Sequence, residues 1–178
     1  MDVKLNSDTV RLRALEPQDL DFLFEVENNT AIWEVSNTLV PYSRFVLKQY
    51  LEQAHLDIYT AKQLRLVICT PSDTKALGFV DLFDFDPKNK RVGVGILVYE
   101  PDNRRQGYAR EALKLLLPYC FDHLGLHQVF ANIGAQNLAS VQLFESLGFN
   151  KSGVKRDWHW TTAGYADELI YQKINEQS

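Results

Sequence analysis

A chain of 178 residues, 46% hydrophobic and 24% charged, has the length and composition of one folded domain with a sizeable core, neither disordered nor fibrous. Its 19 Lys and Arg against 23 Asp and Glu leave a net charge of −4, without the basic footprint that nucleic-acid binding demands. No stretch approaches the roughly 18 consecutive apolar residues of a membrane span, and Met1–Asn6 lacks the apolar segment of a secretory signal, so a cytoplasmic protein without membrane contact is expected.

Apolar residues alternate with Arg11 and Arg13 from Val10 to Ala14, which predicts a half-buried first strand. Pro17 suits the first turn of a helix carrying Leu20, Leu23, Phe24 and Glu27 at helical spacing. Ser43 is placed to cap a second helix, whose apolar stripe is Val46, Leu47, Tyr50, Leu51 and Ala54. A β-rich middle follows. Leu64–Thr70 and Ala76–Phe83 read as strands joined by the turn residues Pro71-Ser72-Asp73, and Arg91–Tyr99 reads as a third strand after the turn at Asp84–Lys90. The loop Glu100–Gln106 opens a long helix through Ala109, Leu113, Leu116 and Leu117, in which Pro118 predicts a kink or stop. Val129–Ile133 is a strand, and Leu138–Leu147 is a helix ended by Gly148. Phe149–Trp160 and Tyr165–Ile174 pair across Ala163-Gly164. This order predicts an α/β fold with a mostly antiparallel sheet, and the helical crossover into Val129–Ile133 implies one parallel pair.

Cys69 and Cys120 each lie in an apolar segment and read as reduced core thiols. His55, His123, His127 and His159 show no metal-ligand spacing, so no metal is expected. The informative segment is Arg104-Arg105-Gln106-Gly107-Tyr108-Ala109, at a strand-to-helix junction. A helix N-terminus offers unpaired N–H groups and a positive dipole end, and Gly107 lets a phosphate approach the backbone. Arg104, Arg105 and Arg110 add positive charge. The alternative is a solvated loop with surface arginines. No GxxxxGK[ST] is present, and Gly93-Val94-Gly95 lies inside a strand, where glycines mark a bulge or a close backbone approach.

Arg104–Ala109 resembles the acyl-CoA signature of the GNAT superfamily of N-acetyltransferases. Asn137-Leu138-Ala139-Ser140 followed by Leu147-Gly148-Phe149 resembles that family's later segment. The closing hairpin with Gly164-Tyr165 is similar to the branch containing ribosomal-protein-alanine and spermidine acetyltransferases, and Asn28-Asn29-Thr30-Ala31 to the spermidine enzymes. The resemblance implies a splayed parallel pair in the sheet, with acetyl-CoA as cosubstrate in the gap. Pantetheine would lie against Ile96, Leu97 and Val98. The pyrophosphate would sit on Arg104, Arg105, Gln106, Gly107, Tyr108 and Ala109. Asn137 and Ser140 would face the sulfur end, Asn137 with an N-cap role as its alternative. Two positions depart from common family practice: Gly93 stands where many members carry Glu, and Phe144 where many carry a tyrosine acid.

The implied reaction is acetyl transfer to a primary amine, which must lose a proton before it attacks. Asp81, Asp84, Glu34 and His159 are the candidate bases, with Asp84 and Asp86 alternatively serving the turn before Pro87 and His159 packing across the hairpin. Asp81, Glu34 and Ser140 are the catalytic candidates carried forward. Glu34 is expected in the loop between the first two helices. The acidic segments favour a polyamine or other small cationic amine as acceptor. A protein N-terminus and a non-catalytic acyl-CoA-binding role are the alternatives, and self-association into a homo-oligomer is in keeping with the resemblance.

Overall fold

The computed structural model describes residues 3–104 and 106–176. Seven strands form one mixed sheet: β1 (Arg11–Arg13), β2 (Leu64–Thr70), β3 (Asp73–Asp86), β4 (Arg91–Val98), β5 (Gln128–Gly134), β6 (Asn150–Thr161) and β7 (Gly164–Ile174), in the spatial order β1-β2-β3-β4-β5-β7-β6. All neighbours are antiparallel except β4 and β5, which run parallel. The flanking helices are α1 (Leu20–Glu27), α2 (Thr30–Ser36), α3 (Arg44–Glu52), α4 (Ile58–Ala61), α5 (Tyr108–Pro118) and α6 (Leu138–Ser146).

Between β1 and β2 the apolar spacing predicts two helices, and the structure has four. The extra two, α2 and α4, are seven and four residues long, too short to display a helical repeat. Each is started by a side-chain cap: Asn29 Oδ1 accepts from the Ala31 N–H at 3.0 Å, and Asp57 Oδ1 from the Thr60 N–H at 2.9 Å. Glu34 therefore sits on a helix, not in a loop. Ser43 caps α3 as expected, its hydroxyl accepting from the Val46 N–H at 3.1 Å. Pro118 is the last residue of α5, and the chain continues as a π-helical turn over Tyr119–His123. A proline cannot donate the backbone hydrogen bond that a regular α-helix requires, and the wider turn follows directly.

Strand alternation gives the sheet two apolar faces. Val80 and Leu82 of β3, Val92 and Val94 of β4, and Val129, Ala131 and Ile133 of β5 pack in one core with Leu113 and Leu116 of α5 and Phe144 of α6. Val67 of β2 and Phe79 of β3 point the other way, into a second core with Leu23, Val26, Ile32 and Leu47 from α1 to α3. Cys69 and Cys120 are both buried, and burial alone pushes the Cys120 thiol up to about 12, so it stays protonated and unreactive at neutral pH.

The parallel pair is short. β4 and β5 are in register only from Arg91 opposite Gln128 to Gly93 opposite Phe130, after which the strands part. At that point the Phe83 ring lies across Gly93, so close that a Cβ there would fall 2.3 Å from the ring. Phe83 also meets Phe130 edge-on, with centroids 5.8 Å apart. A bulge in β3 between Phe83 and Asp86, with Asp84 at φ 50°, ends the regular pairing to β4 beside it. Among the described residues, no helix is long and apolar enough to cross a membrane.

Candidate active site

The mouth of the splay on the α5 side is built from backbone. Gly107 immediately precedes α5 at φ 83°, a left-handed conformation that suits glycine, and no side chain caps the helix among the described residues. The first intrahelical bond runs from the Glu111 N–H to the Gly107 carbonyl at 3.0 Å, leaving the N–H groups before it to point outward at the positive end of the helix. A Cβ on Gly107 would have nothing within 4 Å among the described residues. Tyr108 and Ala109 form the first turn, half-buried. Arg104 folds back instead of pointing out: its Nε donates to the Val98 carbonyl at 3.2 Å and its Nη2 to the Tyr99 carbonyl at 3.0 Å. Its guanidinium thereby closes the free end of β4. Gln106 donates to the Asp102 carbonyl at 3.0 Å. Arg105 lies outside the described residues. Ile96, Leu97 and Val98 occupy the part of β4 beyond its pairing with β5, Ile96 against the α5 core and Leu97 against the opposite one.

The other lip of the splay is the end of β5 and the start of α6. Asn137 Oδ1 accepts from the Ser140 N–H at 3.2 Å, so Asn137 is the N-cap of α6, and it also lines the groove together with Ala135 and Gln136. Ser140 is half-buried and lines the same groove. Phe144 follows one turn later, 3% exposed and edge-on to Phe149 at 5.0 Å. It also borders the groove, but a phenyl ring has no proton to give.

The splay forms part of a groove of about 710 Å³ that runs from Ile96, Ile133 and Phe144 on the α5 side to Leu23, Ile32 and Leu47 on the α1–α3 side. Among the described residues, its charged lining consists of four carboxylates, Glu27, Glu34, Asp81 and Glu168, against the guanidinium of Arg65. Cross-strand register explains the clustering, because paired residues share a face of the sheet. Arg65 pairs with Asp81, and Asp81 with Gly95. Arg65 Nε and Nη2 donate to the two Asp81 oxygens at 2.6 and 3.0 Å, and Nη1 donates to Glu27 Oε1 at 2.5 Å. The guanidinium lies 4.8 Å over the Phe79 ring. Burial would pull the Arg65 pKa down, but the charges of Asp81 and Glu27 outweigh it and hold it above its ordinary value. Asp81 is thus committed to a bidentate ion pair. Glu34 projects from α2 as an exposed side chain of the groove, and no ion pair engages it among the described residues. Asp84 stands exposed on the bulge and is not part of the groove lining. Asp86 accepts from the Asn89 backbone at 3.0 Å and side chain at 2.7 Å, a turn-building role.

His159 enters the groove from β6, with Nε2 2.5 Å from Glu168 Oε2 on β7. Glu27, Arg65 and Glu168 escape motif reasoning. Their signal is a charge inside an otherwise apolar run, as at Arg65 within Leu64–Cys69 and Glu168 before Leu169-Ile170-Tyr171.

A parallel pair that parts beside an open helix N-terminus, leading into a carboxylate-lined groove, offers donors for an anion at one end and charge for a cation at the other. A family model described as an acetyltransferase (GNAT) domain matches residues 9–150, and the chain belongs to that family. Over 170 residues it is 26% identical to an uncharacterised prophage-derived N-acetyltransferase of Bacillus subtilis (strain 168), covering 96% of this chain and 92% of the relative. It is 27% identical over 148 residues to the spermidine N(1)-acetyltransferase of Escherichia coli (strain K12), covering 82% and 75% of the two chains. The solved spermidine N-acetyltransferase of Vibrio cholerae, in complex with CoA and spermine, matches with a TM-score of 0.82 at 24% identity over 94% of this chain and 96% of that one. The fold is therefore the GNAT fold and the protein is an N-acetyltransferase.

Proposed function

We propose that this chain transfers the acetyl group of acetyl-CoA to a primary amine on a small cationic acceptor, with a polyamine the favoured class. The observation that carries the acceptor is the excess of carboxylates over cations in the groove, which favours a positively charged molecule there. The pyrophosphate would bind at the open N-terminus of α5, where Gly107 admits it to the backbone. Pantetheine would run between β4 and β5, using strand groups that the splay leaves without a cross-strand partner. Its thioester would then enter the groove beside Ser140.

In the transfer, the amine nitrogen attacks the thioester carbonyl carbon and the C–S bond breaks. A strand N–H near Val98 would stabilise the oxyanion, and Ser140 would support the departing sulfur. The spermidine N-acetyltransferase relative supports a polyamine acceptor. Asp81, already bound to Arg65, would act by setting the charge of the groove, and Glu34 is the carboxylate left to meet a cationic nitrogen directly.

The test is coenzyme A release with a panel of spermidine, spermine, short diamines, matched monoamines and peptides with free N-termini. Turnover of the polycations at kcat/KM at least about tenfold above the monoamines is expected. A panel led by peptides or by neutral amines would overturn the cationic acceptor.

A further inference from the structure

The hairpin β6–β7 carries a built feature that acetyl-CoA binding does not require. Lys155 pairs with Glu168 in register, and regular pairing would then place Asp157 opposite Ala166. Instead His159 stands opposite Ala166, so two extra residues are accommodated in β6. Asp157 takes φ 48° in this bulge. Asp167 pins it, accepting from the Asp157 N–H at 3.0 Å and from Arg156 Nη1 at 2.6 Å. The bulge brings both Lys155 and His159 onto one carboxylate: Glu168 Oε1 accepts from Lys155 Nζ at 2.9 Å while Oε2 meets His159 Nε2.

Glu168 is 7% exposed, so its charge is compensated by these two partners and its position is fixed by them. With an ionised carboxylate as acceptor, His159 Nε2 carries the proton, and Nδ1 is the nitrogen with a free lone pair. Nδ1 has no hydrogen-bond partner among the described residues. Glu168 lies opposite Gly134, the last residue of β5, where a Cβ would touch nothing within 4 Å. The lip of the splay next to the dyad is therefore bare, and His159, Glu168 and Ser140 line one groove.

We propose that His159, oriented by Glu168, is the base that takes the proton from the acceptor ammonium. The assignment rests on the N-acetyltransferase reading above and names a residue for a step that reading leaves open. The imidazole Nδ1 accepts one proton from R–NH3⁺ and later releases it to water. The freed nitrogen lone pair forms the N–C bond. The C–S bond breaks, and the thiolate takes the second proton lost by nitrogen, giving the amide and the free thiol. Glu168 is a positioning residue: it holds the ring and the tautomer, as the acid does in other histidine-base sites. The charged groups facing the imidazole are Glu168 on β7 and Lys155 on β6, and across the groove Glu34 on α2, Glu27 on α1, Asp81 on β3 and Arg65 on β2.

The test compares wild type, His159→Gln and Glu168→Gln with the best amine of the panel, measuring kcat, KM and the pH profile. Calorimetric titration with acetyl-CoA and thermal unfolding are run alongside. His159→Gln is expected to lower kcat by at least about 100-fold, the usual worth of a general base, with acetyl-CoA affinity retained. The acidic limb due to the imidazole should disappear from its profile. Glu168→Gln is expected to lower kcat by about tenfold and to be partly rescued by Glu168→Asp. Variants that only unfold more easily, with kcat and pH profile at wild-type values, would make the dyad a hairpin staple and overturn the assignment alone. A wild-type enzyme that acetylates no amine overturns the proposed function and this assignment with it.

Discussion

Gly107 and Gly93 are both glycines near the splay, yet different physics holds them. Gly107 needs its left-handed φ of 83° and faces open space, whereas Gly93 has an ordinary φ and no room for a Cβ beneath Phe83. The first is the proposed binding feature and the second a packing one. Gly107→Asp tests the binding feature, with Gly107→Asn as its uncharged control, since both residues tolerate the left-handed region. Asp at this position is expected to weaken acetyl-CoA at least about tenfold relative to Asn, or about 1.4 kcal/mol, because only its charge meets the pyrophosphate. Equal affinities by calorimetry would remove the pyrophosphate from this helix end. The Gly93 packing also explains the missing Glu: a longer side chain would have to displace a ring that is itself wedged against Phe130. Phe144 is also held by packing, its ring being shared between the core and the groove.

At the scale of elements, β1 is docked to the turn before α1 by a buried ion pair. Arg13 Nη1 and Nη2 donate to the two Asp19 oxygens at 2.8 and 2.9 Å, and the Glu16 N–H adds a third bond at 2.8 Å. Burial pushes the Asp19 carboxyl up, but these donors outweigh it and hold its pKa below the ordinary carboxylate value. A depressed folded-state pKa gives stability that is present above the unfolded value near about 4 and lost as pH falls through the folded one. Asp19→Asn is accordingly expected to cost about 3 kcal/mol at pH 7, the scale for breaking a buried pair. The gap to wild type in urea unfolding should narrow as pH drops below about 4. A pH-independent gap would point to lost packing instead. Most elements were legible in the sequence for equally local reasons. Leu64–Thr70 shows itself by its β-branched and apolar run between turn residues, α3 by the Ser43 cap, and α6 by its Gly148 stop at φ 81°. The short helices α2 and α4 were not, because one or two turns held by a cap carry no periodicity. Nor was the β6 bulge, which depends on Asp167 reaching across to Arg156 and the Asp157 backbone.

For the molecule as a whole, the splay divides labour between the two faces of one sheet. The α5 face offers backbone donors to an anion, and the α1–α3 face offers carboxylates to a cation. On the proposed function the two substrates would approach surfaces of opposite sign and meet where β4 and β5 part. The open helix end proposed for the phosphate was legible because a glycine at a strand-to-helix junction is a local signal. At the acceptor end Asp81 and Glu34 were legible as acidic candidates, but Glu27, Arg65 and Glu168 were not, because they come from three elements and gather only when β2, β3 and β7 pair in register and α1 packs beside them. That gathering makes a prediction about salt. Raising ionic strength from about 0.1 to about 1 M shortens the Debye length from about 10 to about 3 Å, less than the width of such a groove. The pull of several carboxylates on a distant second ammonium is then screened, while contacts at the reacting nitrogen are not. The kcat/KM of a diamine should therefore fall at least about threefold more than that of a monoamine of equal length, chiefly through KM. Parallel declines for the two amines would trace the salt effect to acetyl-CoA on the other face, and the carboxylates of the groove would then play no part in choosing the acceptor.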